Sequence, residues 1–176
     1  LYDSLESLDV DCKLTLIDPL DGYYGTNSQD PITGLIASEN LLLRNSSKLS
    51  IPSEKLDLLT GLSTDQDVIS ATHSDYDLVL IDGDHSYETV KKDLLISKSK
   101  IKPNGLIMLD DYINFSHQEM LQYGVMRAVN EFCIEYNFCV DGITISGEII
   151  KKENMFNEVV ELNEYTNIVL KKMEEI

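Results

Sequence analysis

The stretch Tyr76-Asp-Leu-Val-Leu-Ile-Asp-Gly-Asp-His-Ser-Tyr-Glu88 decides the fold. Four consecutive apolar residues, Leu78 to Ile81, stop at Asp82-Gly83-Asp84. Successive side chains of a strand point to opposite faces, so an unbroken apolar run predicts a strand covered on both. The spacing then changes. From Ser86 to Ser99 the pattern is helical, with Val90, Leu94, Ser97 and then Ile101 on one side. A turn at Pro103-Asn104-Gly105 leads to a second apolar run, Leu106 to Leu109, which ends at Asp110-Asp111. Strand, helix and strand with short joins are the unit of a parallel sheet.

Outward from this unit the alternation continues. Toward the N-terminus, Leu14 to Ile17 reads as a short strand ending at Asp18-Pro19, and Ile32 to Arg44 as a helix. Leu56, Leu58 and Leu59 form another strand, ended by Thr60-Gly61, and Asp65 to Ala71 a short helix. Toward the C-terminus, Gln118 to Tyr136 is the best helix, with Leu121, Val125, Ala128, Val129, Phe132 and Tyr136 at helical spacing. Val140 to Ile145 and Thr166 to Lys172 read as strands with no helix between them, which predicts an antiparallel pair at one sheet edge. The fold class is therefore α/β, a Rossmann-like, mostly parallel sheet with an antiparallel C-terminal strand pair. No repeat, low-complexity tract or linker divides the 176 residues, which read as one domain.

With 31 acidic against 14 basic residues the net charge is −17, which argues against nucleic acid or an anionic membrane as partner. A divalent cation or cationic ligand is the more natural counterpart. Cys12, Cys133 and Cys139 form no CxxC pair and read as buried free thiols of a reducing compartment. No apolar run approaches the roughly 20 residues of a membrane span, and no signal peptide is recognisable, so a cytoplasmic protein is expected.

Three strands end in acid, at Asp18, Asp82 and Asp110-Asp111. Parallel strands bring their carboxyl ends to one edge, where ligands of open α/β sheets bind. Carboxylates gathered there need a cation or hydrogen-bond donors. His85, three residues beyond Asp82, is placed to take a proton near neutral pH. Blander readings stand beside these. Asp18 before Pro19 can simply close a turn, and His85 can be a solvated loop residue. Asp84 is best read as the cap of the helix starting near Ser86. Adjacent Asp110 and Asp111 point to opposite faces of a regular strand, so both serve one site only if the strand has already bent. His73 and His117 read as surface residues.

At this point the residues resemble a known group. Tyr76 to Glu88 together with Pro103-Asn-Gly-Leu-Ile-Met-Leu-Asp-Asp-Tyr112 is similar to class I S-adenosylmethionine-dependent methyltransferases, in the branch of macrocin O-methyltransferase-like and cephalosporin hydroxylase-like proteins. Leu16-Ile-Asp-Pro-Leu20 resembles that family's second strand, Leu58-Leu-Thr-Gly-Leu-Ser63 its third strand and cofactor loop, and Gly124-Val-Met-Arg-Ala-Val129 a later helix. The resemblance implies a methyl donor, S-adenosylmethionine, with Asp18 on its ribose, Gly61, Leu62 and Ser63 near the adenine, and Asp82 also at the cofactor. It implies Mg2+ on Asp82, Asp110 and Asp111, with Asp110 standing where the family often has Glu, and His85 as catalytic base. The implied acceptor is a hydroxylated small molecule such as a sugar, and assembly into a homo-oligomer is left open. No glycine-rich turn precedes Asp18, so the family's first strand is not found and the domain is expected to be N-terminally truncated. Two other readings are weighed: a metal-dependent glycosyltransferase using Asp82-Gly83-Asp84 as an Asp-x-Asp motif, and a non-catalytic remnant of the fold. The loops from Asp21 to Pro31 and Asn114 to Met120 are expected to shape the acceptor pocket.

Overall fold

The computed structural model describes residues 9–22, 27–30, 33–114, 122–153 and 159–173. The chain divides into two compact units, Leu1–Thr72 and His73–Ile176.

In the first unit, β1 (Leu14–Asp18) pairs in parallel with β2 (Leu56–Thr60), in register from Leu14 opposite Leu56 to Asp18 opposite Thr60. Parallel neighbours need a crossover, and α1 (Glu39–Lys48) supplies it. This helix starts seven residues later than the sequence pattern suggests. Asp30 closes a turn by accepting from Thr33 N at 2.6 Å, Gly34 takes a φ of +67°, and Gln29 and Ile36 form an isolated antiparallel bridge. Ser38 then begins the helix, its side chain accepting from Leu41 N at 3.4 Å. The short helix α2 (Gln66–Ala71) follows β2, and its Val68 is buried.

The second unit holds the core. Its sheet runs in the order β3 (Tyr76–Ile81), β4 (Ile101–Asn114), β6 (Val159–Lys172), β5 (Phe138–Glu153). β3 and β4 are parallel, while β6 is antiparallel to both β4 and β5, as the two late strands without a crossover predicted. Helices α3 (Tyr87–Lys100) and α4 (Gln122–Tyr136) cover one face. The periodic stripes are the buried ones: Val90, Leu94 and Ser97 on α3, and Val125, Ala128, Val129 and Phe132 on α4. They meet Ile107 and Leu109 of β4 and Ile168 and Leu170 of β6. Each such fully buried aliphatic side chain contributes about 1.5–3 kcal/mol relative to exposure. Leu121 and His117 lie outside the described residues.

The expectation that β3 is covered on both faces is not met along its whole length, since Leu80 is 52% exposed. The Pro103-Asn104-Gly105 turn is absorbed into β4 as an irregularity. Tyr76 pairs with Ile101, but Leu78 pairs with Leu106. Gly105 allows this, because a Cβ there would collide with Ile101 and sit 2.8 Å from the Tyr76 carbonyl oxygen.

Helices α3 and α4 are clamped together near their N-terminal and central turns. The Tyr87 hydroxyl donates to Glu131, which also accepts from Arg127 Nε at 2.9 Å and pairs with Lys91 at 3.4 Å. The Arg127 guanidinium lies 4.1 Å from the Tyr87 ring centroid. The Tyr87 hydrogen bond first, then Arg127, holds the Glu131 carboxyl down at about 2. The three cysteines are free and partly buried. Among the described residues no helix is long and apolar enough to cross a membrane.

Candidate active site

The parallel register of β3 and β4 sets Ile81 opposite Leu109, so the next residues, Asp82 and Asp110, leave paired strands side by side. Beyond Leu109 the chain bends. Leu109 pairs with Ile168 and Ile113 with Thr166, so Asp110, Asp111 and Tyr112 stand against the single residue Asn167. Such a bulge re-aims side chains and is frequent beside active sites. Asp111 carries the bend with a φ of +53°, the left-handed region that Asp tolerates better than most residues. This is the bend that two neighbouring carboxylates require in order to serve one place.

His85 lies in the loop between β3 and α3. Its Nδ1 is 3.1 Å from Asp111 Oδ2, and its Nε2 is 3.8 Å from Asp82 Oδ1. The first is a hydrogen-bond distance and the second is an ion-pair separation only. Nε2 is buried and has no hydrogen-bond partner among the described residues. The side chains differ in access: Asp111 is 11% exposed, His85 25% and Asp82 56%. Asp82 raises the His85 pKa most, burial opposes it, and the charges of Asp111, Asp82 and Asp110 add to the rise. His85 in turn holds the Asp82 carboxyl below its usual range, whereas burial and then the charges of Asp82 and Asp111 push Asp110 up. Two carboxyls this close share their titration, one ionised and the other more readily protonated.

The cap of α3 is Ser86, whose side chain accepts from Thr89 N at 3.4 Å, and not the expected Asp84, which braces the cap from two residues before. The Asp84 carboxylate accepts from Ser86 N at 3.0 Å and from the hydroxyls of Ser86 and Thr89, both at 2.9 Å. An Asp-x-Asp metal motif needs that carboxylate, which is spent on the helix start. Sequence reasoning passed over Gly124. A Cβ there would collide with the His85 carbonyl oxygen and stand 2.9 Å from Tyr87 N, so α4 seats directly against the main chain that carries the imidazole. The signal was a glycine inside an otherwise regular helical pattern.

The resemblance implies three carboxylates around a cation. Asp82 and Asp110 are brought together, but Asp111 is turned onto His85. Among the described residues no group of three His, Cys, Asp or Glu side chains is arranged to hold a metal ion. The residues present do not fit the implied three-carboxylate site.

In the first unit, Asp18 and Gly61 meet at the carboxyl ends of β1 and β2, where Gly61 N donates to the Asp18 carbonyl oxygen at 3.1 Å. The Asp18 side chain also closes its own turn, with Oδ1 accepting from Leu20 N at 2.7 Å. Gly61 has a φ of +149°, and a Cβ on it would stand 2.8 Å from the Val68 side chain. Leu62 N donates to Asp65 Oδ2 at 3.0 Å, which shapes the loop through Ser63. Most of the two loops expected to shape the acceptor pocket lies outside the described residues.

Solved structures of low identity share the fold. The O-methyltransferase NovP superimposes with a TM-score of 0.58 at 18% identity, over 97% of this chain and 64% of its own. TomG, an O-methyltransferase from Streptomyces achromogenes solved in complex with SAM, gives 0.53 at 9% identity, over 92% of this chain and 62% of its own. An O-methyltransferase from Bacillus cereus in complex with SAH gives 0.52 at 16% identity, over 90% and 74%. This chain thus spans a little under two thirds of the length of the first two. No curated protein sequence matches it. A family model described as a methyltransferase domain matches residues 9–112, more than half of the chain, and bears out the resemblance seen in the sequence. By that match the chain belongs to the methyltransferase-domain family.

Proposed function

We propose that this protein transfers a methyl group from S-adenosylmethionine to a hydroxyl oxygen of a small acceptor such as a sugar, with His85 as general base. The observation that carries this reading is an imidazole held at the paired ends of β3 and β4, with Nδ1 on a buried carboxylate and Nε2 unpartnered among the described residues.

When bound, S-adenosylmethionine supplies an electrophilic methyl group on a positively charged sulfur. The chain's own residues do the rest. Asp18 would accept from the ribose hydroxyls, while Gly61, Leu62 and Ser63 would line the adenine side. Asp82 would place negative charge near the donor. A neutral hydroxyl is a weak nucleophile at pH 7. His85 Nε2 accepts the acceptor's proton as its oxygen forms the new O–C bond and the C–S bond breaks, and base catalysis of this kind contributes about 10²–10⁴ in rate. Positioning supplies much of the remainder, since the reacting atoms must be held at about 3–3.5 Å in line.

Hard oxygen donors suit Mg2+, but the arrangement of Asp111 leaves the implied ligand set incomplete. The reading of residues 1–176 as one methyltransferase domain belongs to this proposal, supported by a family match that runs across both compact units. Transfer of labelled methyl from S-adenosylmethionine to a panel of sugars and other polyols tests the reading. Labelled product that disappears in His85→Ala supports it. Product formed equally well by His85→Ala removes His85 from the chemistry.

A further inference from the structure

We infer that Asp111 is the positioning carboxylate of His85, and not a ligand in a three-carboxylate metal site. This rests on reading His85 as the base and assigns a partner to it.

Four observations point the same way. Asp111 Oδ2 lies 3.1 Å from His85 Nδ1, whereas Asp82 Oδ1 lies 3.8 Å from Nε2. Neutral imidazole carries one proton, and the nitrogen facing a carboxylate at hydrogen-bond distance keeps it. The proton therefore belongs on Nδ1, which leaves the lone pair on Nε2. Second, the Asp111 side chain is 11% exposed against 56% for Asp82. Mg2+ dehydrates reluctantly and keeps several waters, so the exposed carboxylate suits a hydrated cation and the enclosed one suits an imidazole. Third, the left-handed φ of +53° at Asp111 within the β4 bulge is what turns this side chain away from a regular strand's direction. Fourth, the main chain that carries His85 is held as well, because Gly124 lets α4 sit against it. A carboxylate on Nδ1, a main chain held by α4 and an Nε2 unpartnered among the described residues define an oriented base.

The test reads the tautomer directly. Long-range 1H–15N correlation spectra of histidine-labelled protein, above the pH at which His85 loses its second ring proton, separate Nδ1–H from Nε2–H. His85→Gln identifies the signal among the three histidines. The wild-type protein is expected to show the Nδ1–H form, and Asp111→Asn a mixture or the Nε2–H form. In Asp111→Asn, kcat should fall tenfold or more with the acceptor KM nearly constant, and Asp111→Glu should restore part of it. Calorimetric titration with MgCl2 alone should give Asp111→Asn the same response as the parent. A wild-type Nε2–H tautomer would overturn the proposal, and this measurement needs no variant to fold. So would an Asp111→Asn protein that keeps the tautomer but loses Mg2+ binding shown by the parent. The tautomer is read without substrate, so failure to find methyl transfer would sink the proposed activity and leave this assignment standing or falling by itself.

Discussion

The end of β1 and the end of β4 carry the same sequence signal, an apolar run followed by aspartate, and become different things. At the end of β1, Ile17 is 36% exposed and Asp18 spends one oxygen on Leu20 N two residues on. Pro19 favours that local turn by fixing its own φ. At the end of β4, Leu109 is fully buried, and the strand bulges against β6 to drive Asp111 onto the imidazole of a neighbouring loop. One carboxylate serves its own backbone and the other serves a distant side chain. An acidic strand end is therefore a place where chemistry can be built, and what the neighbouring elements supply decides whether it is.

The sharpest contrast should appear in catalysis. His85→Ala is expected to lower methyl transfer by about 10²–10⁴ in kcat, with S-adenosylhomocysteine affinity within about twofold of wild type. Calorimetry beside single-turnover rates checks both, and equal losses in rate and affinity would place His85 in cofactor binding instead. The residues just before the two aspartates come next. Leu109→Ala removes a fully buried side chain of the core and should cost about 2–5 kcal/mol in urea unfolding. Ile17→Ala, at a partly exposed position, should cost about 1 kcal/mol or less. Near-equal losses would show that the two strand ends are packed alike.

The aspartates themselves should differ by less. Asp111→Ala leaves the His85 Nδ1–H without its acceptor, which costs about 1–3 kcal/mol, and puts alanine in a left-handed conformation worth about 1 kcal/mol more. Asp18→Ala breaks one exposed turn hydrogen bond, worth roughly 0.5 kcal/mol. Thermal unfolding of the two variants ranks them.

The smallest effect is in pH. With its pKa raised above the ordinary value of about 6.5, chiefly by Asp82, His85 stays protonated further up the pH scale and cannot act as a base until it is deprotonated. The rate of methyl transfer should climb with pH through a midpoint above 6.5, and Asp82→Asn should move that midpoint down. The linked stability has the opposite sense. The raised folded-state pKa contributes stability that is fully present below the unfolded value and lost as pH rises through the folded one. A midpoint that does not respond to Asp82→Asn would detach the titration from this cluster.

Much of this was legible in the sequence because local signals agreed with tertiary ones. The stripes on α3 and α4 found the core, and the missing crossover between Val140 to Ile145 and Thr166 to Lys172 found the antiparallel edge. The helix start near Ser86 was legible too, although Ser86 is itself the cap and Asp84 only braces it. The start of α1 was misread because the turn made by Asp30, Thr33 and Gly34 overrode an apolar pattern that ran through it. Nothing local to Asp110-Asp111 could say which carboxylate meets the imidazole. That depends on a bulge defined only when β4 pairs with β6. The role of Gly124 depends on two elements packing together, and a glycine inside a helix signals that something comes close without saying what.

Titration of the protein with S-adenosylhomocysteine, in parallel for wild type, Asp18→Ala and His85→Ala, bears most directly on the whole account. It predicts saturable binding by wild type and by His85→Ala, with clear weakening in Asp18→Ala. No saturable binding by wild type, or binding indifferent to Asp18, would contradict it.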